Sequence, residues 1–297
     1  ERGCGECQRL VAGLDLVHGA AETRDTFTGT QRYRDSRDNR AAFAGWRPGW
    51  MAFDTEAGVR HDQTSAFGGA TTGSVAFAWR ATDSLRLRAN VGQGFRSPSM
   101  NDLYDPGYGG YFAGNPELDP ERSRSSELGL EWQASAAQQF GLSLYSTRVR
   151  DLISFTGPQN QAENVAHAAI DGAVASWSLE WDDWRTRANW TWQDARDEDT
   201  GTPLLRRPRQ KGSVIVERGF GKRLRVGMEV FHNGKRDDVG GLELQAYTLL
   251  NLRAGWTLDD AWTVGVRLEN LTDRDYELLR GYNTPGRSGF VELTWHP

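Results

Sequence analysis

The residues best suited to holding a ligand gather in one stretch, 96–123. Tyr104, Tyr108, Tyr111 and Phe112 stand there as flat apolar faces that cost little entropy to immobilise, which suits capture of a large macrocycle or chelate. Pro98, Pro106, Pro116 and Pro120 stiffen the same stretch, because each fixes its own φ and restricts the residue before it. The same rings serve equally to pack the segment onto itself.

Catalytic chemistry finds no comparable foothold. His18, His61, His167, His232 and His296 are scattered, with neither an HExxH pair nor zinc spacing. There is no GxSxG, no Walker loop and no GxGxxG following a strand. Gly107, Gly109, Gly110 and Gly114 sit among Tyr and Asp with no helix behind them to hold a phosphate. Asp197, Glu198 and Asp199 read as a solvated loop without the ligand spacing of a calcium loop. Cys4 and Cys7 form a lone CxxC, which reads as an incidental pair or, in an oxidising compartment, a local disulfide. The sequons at Asn189 and Asn270 carry no further signal. Nothing here supports an enzyme, a cofactor or a bound metal.

The elements that must position the aromatic stretch are strands. Leu85, Leu87, Ala89 and Val91 alternate with Arg86, Arg88 and Asn90. Val75, Phe77 and Trp79 alternate with Ser74, Ala76, Ala78 and Arg80 in the same way. The pattern returns at 224–230, 250–258 and 262–269. Successive strand residues face opposite ways, so each segment has one apolar and one polar surface. A sandwich alternates too; the connections separate the readings. Tight turns are expected near Pro48-Gly49, Ala81–Ser84, Ala134–Gln138, Asp182–Trp184, Gly219–Lys222 and Asp259–Ala261. Long polar loops are expected at 22–40, 61–69, 96–123, 150–167, 194–208, 232–244 and 271–287. Short turns on one side and long loops on the other mark a transmembrane barrel, and about 14 strands are expected, an even number as bacterial barrels require.

Composition agrees. The chain has 297 residues, 34 Gly and 12 Trp, yet only 38% hydrophobic residues, as expected where every second strand residue meets lipid and the rest line a polar lumen. Trp132, Trp177, Trp181, Trp190, Trp192, Trp256, Trp262 and Trp295 fall near strand ends on the apolar parity, where rings sit at headgroup level. No apolar run reaches the roughly 18 residues of a membrane helix. The net charge of −5 argues against a nucleic-acid binder. The chain opens at Glu1 without a signal peptide and reads as a fragment. Val291, Leu293 and Trp295 alternate to the end, but the last residue is Pro297, which donates nothing to a ladder.

Three segments resemble TonB-dependent outer-membrane receptors. Gly94-Phe-Arg-Ser-Pro-Ser-Met-Asn-Asp-Leu-Tyr104, followed by Gly114-Asn-Pro-Glu-Leu-Asp-Pro-Glu-Arg-Ser123 and Glu127, is similar to the family's hallmark pairing. Asn270-Leu-Thr-Asp-Arg-Asp-Tyr276 is similar to the end of its penultimate strand, and Gly281-Tyr-Asn-Thr-Pro-Gly-Arg287 to the loop before the last one. Within the family, Thr202–Arg207 and the 281–287 loop look most like the vitamin B12 (cobalamin) receptors. That likeness implies that Arg206, with Arg207 beside it, lies near the bound corrinoid; both read equally as lumen or rim arginines.

The resulting expectation is an all-β protein, an antiparallel transmembrane β-barrel, with residues 1–297 forming the C-terminal part of a plugged barrel of about 22 strands. The N-terminal plug and the first strands are absent from it. The expected activity is cobalamin uptake in the outer membrane of a Gram-negative bacterium. A siderophore receptor, a passive porin-like fragment and a secreted β-sandwich are the alternatives. The implied partners are the TonB complex, acting through the plug, and a corrinoid or chelate substrate. Outer-membrane lipid and lipopolysaccharide surround a monomer, with no nucleic acid.

Overall fold

The computed structural model describes residues 8–48, 53–107, 109, 111–156 and 159–296. The Cys4/Cys7 pair, Gly49, Gly110, Tyr108 and Pro297 lie outside these residues.

Fourteen strands form one antiparallel sheet, each bonded to its neighbours in chain order. They are β1 (Arg9–Arg24), β2 (Gln31–Arg47), β3 (Phe53–Thr64), β4 (Gly68–Arg80), β5 (Leu85–Arg96), β6 (Glu121–Ser135), β7 (Gln138–Thr156), β8 (Gln161–Trp181), β9 (Trp184–Asp197), β10 (Gln210–Phe220), β11 (Leu224–Asn233), β14 (Tyr247–Thr257), β15 (Trp262–Glu269) and β16 (Ser288–Trp295). A two-stranded ribbon of β12 (Arg236–Asp238) and β13 (Leu242–Leu244) stands between β11 and β14. The helical segments are α1 (Met100–Tyr104) and the 3₁₀ turn Val239–Gly241. One continuous sheet excludes the sandwich. Among the described residues no ladder joins β1 to β16, so both are edge strands.

The register places the expected parities on opposite faces. On the outer face Leu87 sits across from Leu130, Leu128 from Leu144, Val230 from Leu250 and Val266 from Val291. These side chains have no protein above them: Leu14 is 80% exposed and Leu128 62%. So wide an apolar surface is untenable in water and is stable against lipid. Its short-turn rim is aromatic. Trp132 and Phe140 lie 5.6 Å apart, Phe140 and Trp177 6.5 Å, Phe53 and Phe77 5.4 Å, and Trp262 and Trp295 6.4 Å. Trp190 and Trp192 belong instead to the long-loop half, where Trp190 stacks on His232 at 5.6 Å.

The inner face is polar. Arg88 reaches Glu131 at 3.4 Å and Glu127 at 3.7 Å, while Arg86 reaches Asp54 at 3.3 Å. Gly129 makes room for this ladder, since a Cβ there would come within 2.7 Å of Arg88 Nε.

Several connections expected to be long are short. β1 runs on to Arg24 and β2 begins at Gln31; β3 and β4 are joined by residues 65–67 alone; β7 reaches Thr156 and β8 resumes at Gln161. The strands continue past the apolar band, so the hydrophobic alternation ends while the ladder does not. β7 has 19 residues and β8 21, against about 9–11 needed to cross a bilayer. The expected contrast between long loops and short turns therefore fails at 65–67 and 157–160, although the two sides remain distinct.

Candidate ligand-binding loops

Residues 97–120 leave β5 and return to β6 over a single cross-strand pair. Arg96 bonds Glu121 at 2.5 Å and Asp102 at 3.1 Å. Buried Glu121 also accepts from the Ile153 amide at 2.9 Å, so one arginine and two carboxylates close the base of the loop. Ser99 and Asp102 cap α1 reciprocally: the Ser99 hydroxyl accepts from the Asp102 amide at 3.1 Å, and Asp102 accepts from the Ser99 amide at 2.8 Å. Gly114 then lies against the helix backbone, its amide donating to the Asp105 carbonyl at 2.7 Å. A Cβ at Gly114 would stand 2.8 Å from three backbone atoms of residues 101–103.

The loop is wedged between the upper part of β2 and the β7–β8 hairpin. From β2, Arg37 donates to the Pro98 carbonyl at 2.7 Å, Arg32 to that of Gly107, and the Tyr33 hydroxyl bonds Asn101. On the other side the Phe112 amide donates to the Gln159 carbonyl, and the Ala162 amide to that of Ala113, both at 3.0 Å. Beneath lies a small apolar core of Leu103, Leu118 and Ala162, flanked by Phe67, Tyr104, Ile153 and Phe155.

The expected aromatic residues divide. The Tyr104 ring is half-buried, 6.3 Å from that of Tyr33. Its hydrogen bond to Asp35, with burial second, raises its pKa above the usual phenol value. Phe112 holds a left-handed φ of 57° and leans on Phe155 at 6.2 Å. Tyr111 is the freest, 52% exposed.

Arg206 and Arg207 occupy a second cluster, built from residues 198–209, the β12–β13 ribbon and residues 270–287. Arg206 Nε donates to Asp238 at 2.7 Å, and its backbone amide donates to the Asp237 carbonyl at 2.7 Å. Asp238 is fully buried and also accepts from the amides of Val239 and Arg280, both at 2.9 Å. Burial opposes its charge, but those two amides and the Arg206 guanidinium outweigh it and hold the carboxyl below the usual range. Arg207 is exposed and has no ion pair or side-chain hydrogen bond among the described residues. Asn270 anchors the third segment. It adopts a φ of 50°, which Asn tolerates better than most residues, and its side chain bonds the Arg274 amide and carbonyl at 2.8 and 2.9 Å. Tyr282 stands 67% exposed on that segment. No hydrogen bond among the described residues joins Arg206 or Arg207 to Tyr104, Tyr111 or Phe112.

Arg32, Tyr33 and Arg37 escape a reading of the sequence because they fall in a charged stretch that resembles a loop; in the structure they are strand residues. Nothing local to Asp238 marks it as the partner of Arg206.

The sequence profile described as "TonB dependent receptor-like, beta-barrel" matches residues 8–271. The chain belongs to that family. TonB-dependent receptors are transporters and receptors rather than enzymes, and they reside in the outer membrane, as the lipid-facing sheet here requires. Among curated relatives, the chain is 30% identical to the vitamin B12 transporter BtuB of Vibrio vulnificus, over 96% of this chain and 47% of that protein. It is 28% identical to the vitamin B12 transporter BtuB of Photobacterium profundum, over 97% and 48%. The chain thus spans about half the length of these relatives. Among solved structures, it superposes on the ferric enterobactin receptor PfeA of Pseudomonas aeruginosa with a TM-score of 0.80 at 20% identity, covering 99% of this chain and 52% of that one. For the siderophore receptor PirA of Acinetobacter baumannii the TM-score is 0.78 at 20% identity, covering 97% and 52%. At that identity the likeness shows the TonB-dependent receptor fold.

Proposed function

We propose that this chain is the C-terminal part of the wall of a TonB-dependent cobalamin importer. The observation that carries this reading is the 30% identity to a vitamin B12 transporter along 96% of the chain. The loops suit such a ligand. A corrinoid is a broad ring edged with amides and carrying a phosphodiester. Tyr111 and Tyr282 offer exposed rings, and Arg207 offers an exposed guanidinium for the phosphate. Arg206 supports them from behind by bracing the loop on Asp238.

The remaining parts follow from the family. An N-terminal plug would occlude the polar lumen and pass TonB-derived energy to it. Further strands would cover the free edges of β1 and β16, which a membrane does not tolerate unpaired.

The test is uptake and binding of labelled cyanocobalamin by cells that lack their own receptor and express the complete gene. Saturable, TonB-dependent binding is the expected result. Uptake of a ferric catecholate with no cobalamin binding would assign the site to iron chelates. Ion conductance in planar bilayers without either ligand would point to a passive barrel.

A further inference from the structure

Between β4 and β5 the wall splits. The two strands are paired from Arg80↔Arg86 to Ser74↔Gly92 and no further. Above that point β4 continues on β3, up to Thr64↔Gly68, while β5 continues on β6, up to Arg96↔Glu121. The fork holds a cavity of about 440 Å³ lined by Thr71, Gln93, Arg122, Arg124, Arg148 and Arg150.

These four arginines share the outward parity of Leu128 and Leu144 and stand directly opposite one another, Arg122↔Arg150 and Arg124↔Arg148. Like charges placed so are destabilising unless neutralised. Arg148 is neutralised, by Asp171 at 2.9 Å and Glu198 at 3.2 Å, and nearby Asp194 is taken by Arg196. Arg122, Arg124 and Arg150 have no carboxylate partner among the described residues.

Their level is set by the strand. Arg124 lies eight residues above Trp132 of the short-turn girdle, or roughly 27 Å along the strand and about 19 Å in height at a 45° tilt. The apolar band of such barrels is about 25 Å tall. Arg122, two residues further on at about 24 Å, lies at its upper edge, and the long side chain of Arg124 snorkels from just below it to the headgroups of the external leaflet. Directly below, an outer-face groove of about 610 Å³ is lined by Trp46, Val59, Val75 and Val91 and shares Gln93 and Arg124 with the fork. A cationic pocket thus opens onto an apolar trough.

We propose that the β4–β5 fork binds a phosphorylated glycolipid of the outer leaflet, its phosphate held by Arg122, Arg124 and Arg150 and an acyl chain lying in the groove beneath. Guanidinium groups match phosphate oxygens bidentately. The shared boundary of pocket and groove selects an amphiphile over a free anion. The inference rests on the outer-membrane location and is independent of which ligand the loops take.

The test uses protein expressed from the complete gene and purified in non-ionic detergent. Binding of bisphosphorylated lipid A is compared with binding of its dephosphorylated form by native mass spectrometry. At least tenfold tighter binding of the phosphorylated lipid is expected. The triple variant Arg122→Ser, Arg124→Ser, Arg150→Ser should lose that preference while remaining a heat-modifiable barrel. Equal binding of the two lipids by the unaltered protein would overturn the proposal, and that comparison needs no variant. A preference that survives in the triple variant, or that is undiminished in Arg124→Ser should the triple variant fail to fold, would overturn it as well.

Discussion

Arg206 donates its Nε proton to Asp238 at 2.7 Å, and the carboxylate that accepts it has no contact with solvent. The pair ties the segment after β9 to the ribbon after β11, and the Arg280 amide brings the segment before β16 onto the same carboxylate. Arg206→Ala leaves that charge with only backbone donors. Since the guanidinium is itself 38% exposed, the cost should be modest, about 1–3 kcal/mol, and local. Hydrogen exchange should accelerate in residues 198–209 and 234–246 while the strands keep their protection; unchanged loop exchange would refute the clamp.

The same carboxylate sets a pH response. Because the folded state holds the Asp238 pKa below its ordinary value of 3.8, the unfolded segment binds its proton first. The contribution to loop stability is complete above about pH 4 and is lost as pH falls below that value through the depressed folded pKa. Protease cleavage of these loops should rise in that acid window in the native protein. In Asp238→Asn it should be raised already at neutral pH and change little with acid.

Arg207 offers the contrast. Exposed, and without an ion pair among the described residues, it should be replaceable by Ala with a stability change within about 0.5 kcal/mol, while cobalamin affinity falls roughly tenfold or more, the worth of one charge-assisted contact. If Arg207→Ala binds cobalamin as tightly as the native protein, its proposed contact with the phosphate is wrong.

Gly114→Ala tests the packing of the 97–120 loop. The added methyl would enter a space held by the backbone of residues 101–103, which cannot move without breaking the Ser99–Asp102 cap. Fluorescence quenching of Tyr104 and Tyr111 by acrylamide should rise, while the heat-modifiable mobility of the barrel is unaffected.

The assignment of faces is testable at two adjacent parities of β6. Leu128→Arg places a charge in lipid and should cost about 2–4 kcal/mol. Ser125→Lys, on the inner face beside Thr147, should cost less than about 1 kcal/mol. Urea titration in detergent micelles ranks the two, and a reversed order would invert the faces.

What the sequence reveals of this fold is what lipid demands of it. The parity of Leu85–Val91 or Leu250–Leu258, the short turns at 81–84 and 182–183, and the strand count are all visible, because the bilayer enforces a period of two on one face. Above the bilayer that demand ends. The upper ends of β1, β2 and β3 meet water on their outer face, so Glu22, Arg34, Arg40 and His61 look like loop residues although the ladder continues through them. The ligand loops are least visible, since their order depends on partners distant in sequence. Arg96 and Glu121 are 25 residues apart, Arg37 and Pro98 61, Arg206 and Asp238 32. The motif around Gly94–Tyr104 marks where a loop must be anchored but names neither Arg37 nor Tyr33 as the anchor.

The sheet joins every strand only to its predecessor and its successor. A wall of this kind grows by whole hairpins. Duplicating or deleting one pair of strands would widen or narrow the circumference by a fixed step, leave the alternation of every other strand intact, and carry one external loop in or out with it. The long-loop end and the lipid-facing wall are thereby separable parts of the sheet. A loop exchanged between strand ends such as Arg96 and Glu121 would leave the lipid-facing staves as they are, and would need new partners only at the upper ends of β2 and of the β7–β8 hairpin.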